Sequence, residues 1–160
     1  MKTIKKILLF LLSLTIITTL VGCSAQNDTT DIDISYLSNE LLEKAEFEDE
    51  LNAVVDATIK KLYNIDDYVK ASVYLSSGAT AEEIAIFEFD SKDTAADGLK
   101  KAQVRIEEQK TDFESYIPKE IPKLDRAVVK QSGKYVIVCV SNSNGAEKII
   151  TQYISGQNEE

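Results

Sequence analysis

Two short runs constrain this chain more than anything else in it. Residues 84–89 read IAIFEF and residues 135–141 read YVIVCVS. Both are rich in β-branched and aromatic residues, and both are apolar at nearly every position rather than at alternate ones. A strand with one wet face alternates, so a run apolar on both faces belongs inside a sheet rather than at its edge. Any fold for this chain has to bury these two runs, with YVIVCVS as the central strand.

Each run sits in a hairpin. Val69, Ala71, Val73 and Leu75 alternate with Lys70, Ser72, Tyr74 and Ser76, which predicts a half-buried strand. The connection SSGATAEE joins it to IAIFEF. Residues 124–131 and 134–142 flank Ser132-Gly133 and predict a second hairpin turned at that pair. Between the hairpins, residues 91–116 form the longest helical pattern. Ser91 stands where a cap belongs, with Asp93 in the first turn near the positive end of the dipole. Ala95, Leu99, Ala102, Ile106, Phe113 and Tyr116 make its inner stripe, interrupted by Gln109. Lys100, Lys101, Arg105, Glu107, Glu108 and Lys110 are expected to face water. Pro118 and Pro122 stop the helix, and IPKEIPKL reads as a stiff connector.

Helical spacing returns at the ends. Leu37, Leu41, Leu42 and Ala45 share one face of a helix over residues 35–45. The acidic segment EFEDE (46–50) interrupts, and Leu51, Val54, Val55, Thr58, Ile59 and Leu62 continue the pattern to Tyr63. Asp49 or a neighbour is the expected cap; one kinked helix and two helices both fit. After the break at Ser143, Asn144 and Gly145, residues Ala146, Ile149, Ile150, Tyr153 and Ile154 predict a short amphipathic helix. The element order is therefore α-α-β-β-α-β-β-α. This is an α+β domain: a four-stranded antiparallel sheet from two β-hairpins, with a long crossover helix and the N-terminal helices packed on it. The pattern leaves strand order open.

The N-terminus carries a different signal. Lys2, Lys5 and Lys6 precede ILLFLLSLTIITTLV, a fifteen-residue run from Ile7 to Val21. A membrane-spanning helix needs roughly 20 apolar residues, whereas a basic opening followed by a shorter run is the layout of a secretory signal. The run ends in Leu20-Val21-Gly22-Cys23, which resembles the bacterial lipoprotein processing motif. That resemblance implies a diacylglyceryl thioether on Cys23 and cleavage after Gly22. Two acyl chains on one sulfur hold firmly where one holds marginally, at about 0.8 kcal/mol per buried CH₂. The expected organisation is a removed signal peptide (1–22), a flexible tether (23–33), one globular domain (34–156) and a disordered tail (157–160).

Charge and chemistry narrow the function. The chain has 18 basic and 27 acidic residues, a net of −9. Removing the three lysines of residues 1–22 leaves 15 basic residues and a net of −12. Such a polyanion argues against nucleic-acid partners. There is no histidine, so the commonest general base and metal ligand is absent. Gly78, Gly98, Gly133, Gly145 and Gly156 are isolated, unlike a phosphate-cradling loop. Cys139 lies within a core strand and is expected to act as a small buried hydrophobe. Carboxylates cluster at Glu46, Glu48, Asp49 and Glu50, and at Asp66 and Asp67, but neither cluster has the spacing or the glycine of a calcium loop. A two-carboxylate glycosidase needs a cleft between elements that one small sheet hardly builds. No catalytic, cofactor or metal residue is assigned. Tyr63, Tyr68 and Tyr116, set beside loops or helix ends, are the candidates for a ligand-contacting surface.

The segments LYNID (62–66), VYLSSGATAEEIAIFEF (73–89), RIEEQKTDFESYIPKEIPKL (105–124) and GKYVIVCVSN (133–142) resemble a family of Firmicutes lipoproteins, the domain-of-unknown-function 4358 type. The resemblance covers about residues 45–155. It implies a cell-surface lipoprotein of a Gram-positive bacterium on the outer face of the cytoplasmic membrane, and it carries over no catalytic residue. Together with the anchor motif it leads to one expectation: a lipid-anchored, extracytoplasmic, non-enzymatic binding domain. Its partners would be the membrane through Cys23 and an envelope protein, peptide or wall component. The alternative is a small carboxylate- or Ca²⁺-dependent enzyme or accessory.

Overall fold

A computed structural model describes residues 31–157. The expected signal segment, Cys23, the expected tether up to residue 30 and residues 158–160 lie outside the described residues. The elements are α1 (Ile34–Lys44), β1 (Asn52–Ala53), α2 (Asp56–Tyr63), β2 (Lys70–Leu75), β3 (Glu83–Glu88), α3 (Lys92–Tyr116), a 3₁₀ turn (Pro118–Glu120), α4 (Ile121–Asp125), β4 (Val128–Ser132), β5 (Tyr135–Val140) and α5 (Gly145–Gln157). The α+β class holds. The sheet is antiparallel throughout in the order β1-β2-β3-β5-β4.

The two runs apolar on both faces, β3 and β5, lie side by side at the centre. Every residue of β5 is buried, and so is every residue of β3 except Glu88. Their side chains divide by parity, as a pleat requires. Ala85, Phe87, Val136, Val138 and Val140 face a core shared with Ile59 and Tyr63 of α2 and with Ala95, Ala102 and Ile106 of α3. Ile84, Ile86, Tyr135, Ile137 and Cys139 face a second core closed by Leu37 and Leu41 of α1 and Ala146 and Ile150 of α5. The sheet is thus covered on both sides. Both N-terminal helices pack on the sheet as expected, α1 on one face and α2 on the other.

Five expectations are revised or refined. The sheet has five strands, because Asn52 and Ala53 pair with Leu75 and Tyr74. The second N-terminal helix accordingly starts at Asp56, and its cap position is Val55, with no side-chain cap; Asp49 bonds elsewhere. The stiff connector after α3 takes the form of two tight helical turns, Pro118–Glu120 and Ile121–Asp125, which the proline pattern did not specify. Pro118 and Pro122 sit in first-turn positions where the missing N–H costs nothing. The second hairpin closes on the pair Ser132–Tyr135, so its turn is Gly133-Lys134, one residue later than expected; Gly133 adopts a left-handed φ of +53°. Finally, Ile32 is buried and Asp33 caps α1 by accepting from the Ser35 and Tyr36 N–H groups at 3.0 Å, so the packed unit includes residues assigned to the tether.

The long helix follows its sequence pattern with three revisions, the first being that Tyr116, expected on the inner stripe, is 76 % exposed at the helix end. Ser91 caps it through the Thr94 N–H at 3.1 Å. Gln109 is buried within the stripe it was expected to interrupt, and the Arg105 side chain is 14 % exposed rather than open to water. Gly98 is buried because the Phe89 ring of the sheet lies where a side chain would go.

Candidate functional site

The residues that sequence reasoning singled out part company in the structure. Tyr63 is 2 % exposed and belongs to the core, not to a ligand surface. Its hydroxyl donates to Glu83 Oε1 at 2.7 Å, and burial, reinforced by the Glu83 charge, pushes its pKa well above the ordinary tyrosine range. Tyr68 is half-buried, its ring against Phe87. It lines a groove of about 780 Å³ with Asp31, Asp33, Asp56, Glu88 and Lys134. Tyr116 is 76 % exposed at the end of α3, remote from both. The three tyrosines do not form one surface.

What the structure does bring together are charges that the sequence hid. Glu82 and Glu83 enter β3 side by side and are both fully buried. A buried carboxylate is costly unless paired and hydrogen-bonded, and each has its own set of partners. Glu83 faces α3, where it accepts from the Gln109 amide at 3.0 Å and the Arg105 guanidinium at 3.2 Å as well as from Tyr63. Glu82 faces the loops. Its carboxylate accepts from the backbone N–H groups of Glu48 and Asp49, from the Thr80 hydroxyl at 3.1 Å and from Lys123 Nζ at 3.0 Å.

Lys123 is the hub. Its ammonium, almost fully buried, reaches Glu48 at 2.9 Å, Glu82 at 3.0 Å and Glu120 at 3.1 Å, three carboxylates for three N–H donors. Burial works against its charge, but the hydrogen bonds from the three carboxylates outweigh it and raise its pKa. Glu120, also buried, accepts the Ala81 N–H at 3.0 Å. Glu48 reaches Lys119 as well, at 3.3 Å, and the two lysines hold its carboxyl below the usual range. Asp49 accepts from the Ser77 hydroxyl and N–H, which lowers its pKa too. The cluster therefore ties three loops together: residues 46–50, 76–82 and 117–123. Two of the four acids in EFEDE are spent on that task. Among the described residues no group of three or more Asp, Glu or Cys side chains converges so as to hold a metal ion.

Cys139 is buried and free, and burial followed by the Glu83 charge pushes its thiol up to about 12, far from the reactive range. Among the described residues no helix is long and apolar enough to cross a membrane.

These observations define a small α+β domain whose buried ionisable groups knit its own elements together and whose open grooves lie at the sheet's margins and along α3. It belongs to the family described as "Domain of unknown function (DUF4358)", whose model matches residues 43–141, more than half of the chain. No curated protein and no solved structure matches it.

Proposed function

We propose that this protein is a lipid-anchored extracytoplasmic domain that works by binding a partner at the cell envelope and not by catalysis. The single observation that carries the reading is Leu20-Val21-Gly22-Cys23 at the end of a basic, then apolar, N-terminal segment. Seven residues lie between Cys23 and Asp31, eight peptide steps and a reach of roughly 27 Å when extended. The domain would then stand within a few tens of ångströms of the membrane, and its net negative charge would keep it off anionic headgroups. The internal use of Glu48, Asp49, Glu82, Glu83 and Glu120 supports binding over carboxylate chemistry.

Two measurements test the proposal. Metabolic labelling with an alkyne fatty acid is expected to mark the wild-type chain and to leave Cys23→Ala unlabelled. Equal labelling of both, or mass spectrometry finding residues 1–22 attached to an unmodified Cys23, overturns the anchor. A thermal melt of the full chain with Ca²⁺ and with chelator is expected to show the same midpoint. Stabilisation by several degrees with Ca²⁺ overturns the non-enzymatic reading in favour of a cation-dependent one.

A further inference from the structure

Among the described residues the outer edge of the sheet at β4 is unpaired, and the register says which backbone groups it offers. Phe89 N–H donates to the Lys134 carbonyl, so the even residues of β5 bond to β3 and its odd residues to β4. The pairs Val128–Cys139, Lys130–Ile137 and Ser132–Tyr135 therefore take the ladder bonds. Val129 and Gln131 are left with N–H and C=O groups directed away from the sheet, and among the described residues no other backbone or side chain bonds them. Beside this edge runs a groove of about 440 Å³, walled by Arg126, Val128 and Lys130 on the strand side and by Glu147, Ile150 and Thr151 of α5 on the other.

The edge carries two cations, Arg126 and Lys130, that form no ion pair among the described residues, as is also true of Lys61, Lys92 and Lys148. Most of its lysines and arginines are committed to a carboxylate: Lys60 to Asp66, Lys101 to Asp67, Arg105 to Glu83, Lys134 to Glu88 and Lys123 to three acids. Arg126 and Lys130 have no carboxylate within ion-pair distance among the described residues. Two acids line the same groove: Asp125, engaged by Lys110 at 3.2 Å, and Glu147 of α5. Two cations without a carboxylate partner, Arg126 donating only to the Asn142 carbonyl at 3.4 Å, thus flank the strand edge on a chain of net charge −9.

We propose that the β4 edge is a strand-addition site for an extended, acidic segment of a partner protein. The segment lies in the groove between β4 and α5, its backbone bonds to Val129 and Gln131, and its alternate carboxylates meet Arg126 and Lys130. Backbone pairing supplies affinity in this mode and alternate side chains supply selection. A competing reading of Lys130 is protective, since a charged edge discourages unwanted pairing; that reading predicts no preference for acidic peptides. The proposal rests on the interaction reading above and names the partner's chemistry. It does not need the anchor, so peptide binding can fail while labelling at Cys23 succeeds, and the reverse.

The test titrates the full chain in detergent micelles with acetyl-EVEVEVE-amide, with its lysine counterpart KVKVKVK, and with the acidic peptide N-methylated at alternate residues. Amide NMR shifts report where each binds. The acidic peptide is expected to shift Val129 and Gln131 and slow their hydrogen exchange. N-methylation should weaken binding at least tenfold, and so should Arg126→Ala combined with Lys130→Ala, whereas Lys61→Ala on α2 should leave it unchanged. Equal binding of the acidic and basic peptides, shifts centred away from β4, or undiminished binding to the double variant overturns the proposal.

Discussion

At the scale of single residues, Lys123 separates two kinds of buried charge. Breaking a buried ion pair by removing one partner costs about 3–5 kcal/mol, because the other charge is stranded. Lys123→Met strands Glu82 and Glu120 together, so a loss of that size is expected in urea unfolding; a loss below 1 kcal/mol would show that the ammonium is dispensable. The two acids should not respond alike. Glu82 uses both oxygens and accepts from two backbone N–H groups, a hydroxyl and the lysine, whereas Glu120 Oε1 has no partner among the described residues. Glu82→Gln is expected to destabilise more than Glu120→Gln, and the reverse order would contradict the bonding pattern. The pH dependence has a definite sign. Glu48 and Asp49 titrate lower in the folded chain than in the unfolded one, so their contribution is complete above the ordinary carboxylate range near 4 and is lost as pH falls through the folded values. Lys123 titrates higher when folded, so its contribution is complete below the ordinary lysine value and is lost only as pH rises beyond it. A thermal midpoint that is flat from neutral pH to about 5 and drops below about 4 is expected. A midpoint that rises on acidification would reverse the assigned sign.

At the scale of elements, the contact between α3 and the sheet turns on one glycine. A Cβ at Gly98 would stand 2.2 Å from Cζ of Phe89, a ring that is itself fully buried. Helix propensity alone favours Gly98→Ala by about 1 kcal/mol. The clash opposes it, because overpacking a filled core costs typically 1–3 kcal/mol. Net destabilisation is expected, with partial recovery when Phe89→Leu is added. A stabilised single variant would mean that the ring moves aside freely. The same contact shows what the sequence could and could not disclose. The paired runs of β3 and β5, the alternation of β2, the cap of α3 and the stripe from Ala95 to Ile106 were legible because each is a local period with a local start signal. β1 was not, since two residues have no period. The two helical turns at 117–125 were not, because a proline reads equally as a stop and as a first-turn residue. The ion clusters were the least legible: Glu83 finds Tyr63, Arg105 and Gln109 at separations of 20 to 26 residues, and Glu82 finds Lys123 at 41. Their one local trace was a pair of acids set directly before an apolar strand. Tyr63 was assigned to the surface for the same reason, since its hydroxyl partner lies on another element.

At the scale of the whole molecule, helices on both faces of one sheet place Cys139 under α1 and α5, in the strand with the most complete burial. Local fluctuations open loops and termini at little cost, whereas a central strand exchanges with solvent only when the fold opens as a unit. In Cys23→Ser the chain keeps a single thiol, because it has two cysteines in all. Its reaction with a disulfide reagent then measures that opening directly. While the strand stays closed, burial and the Glu83 charge hold the thiol up to about 12, so it has almost no thiolate to react with. For a domain stable by 5 kcal/mol or more, protection of at least about 10³ over the unfolded chain is expected. Urea should speed the reaction in step with the loss of the circular-dichroism signal of the sheet. Lys123→Met should speed it by the factor its stability loss predicts, although Lys123 lies on α4, which is not one of the helices that cover the cysteine. Modification within minutes in the absence of denaturant would mean that α1 and α5 leave the sheet independently of the rest, and that the two layers are not one cooperative structure.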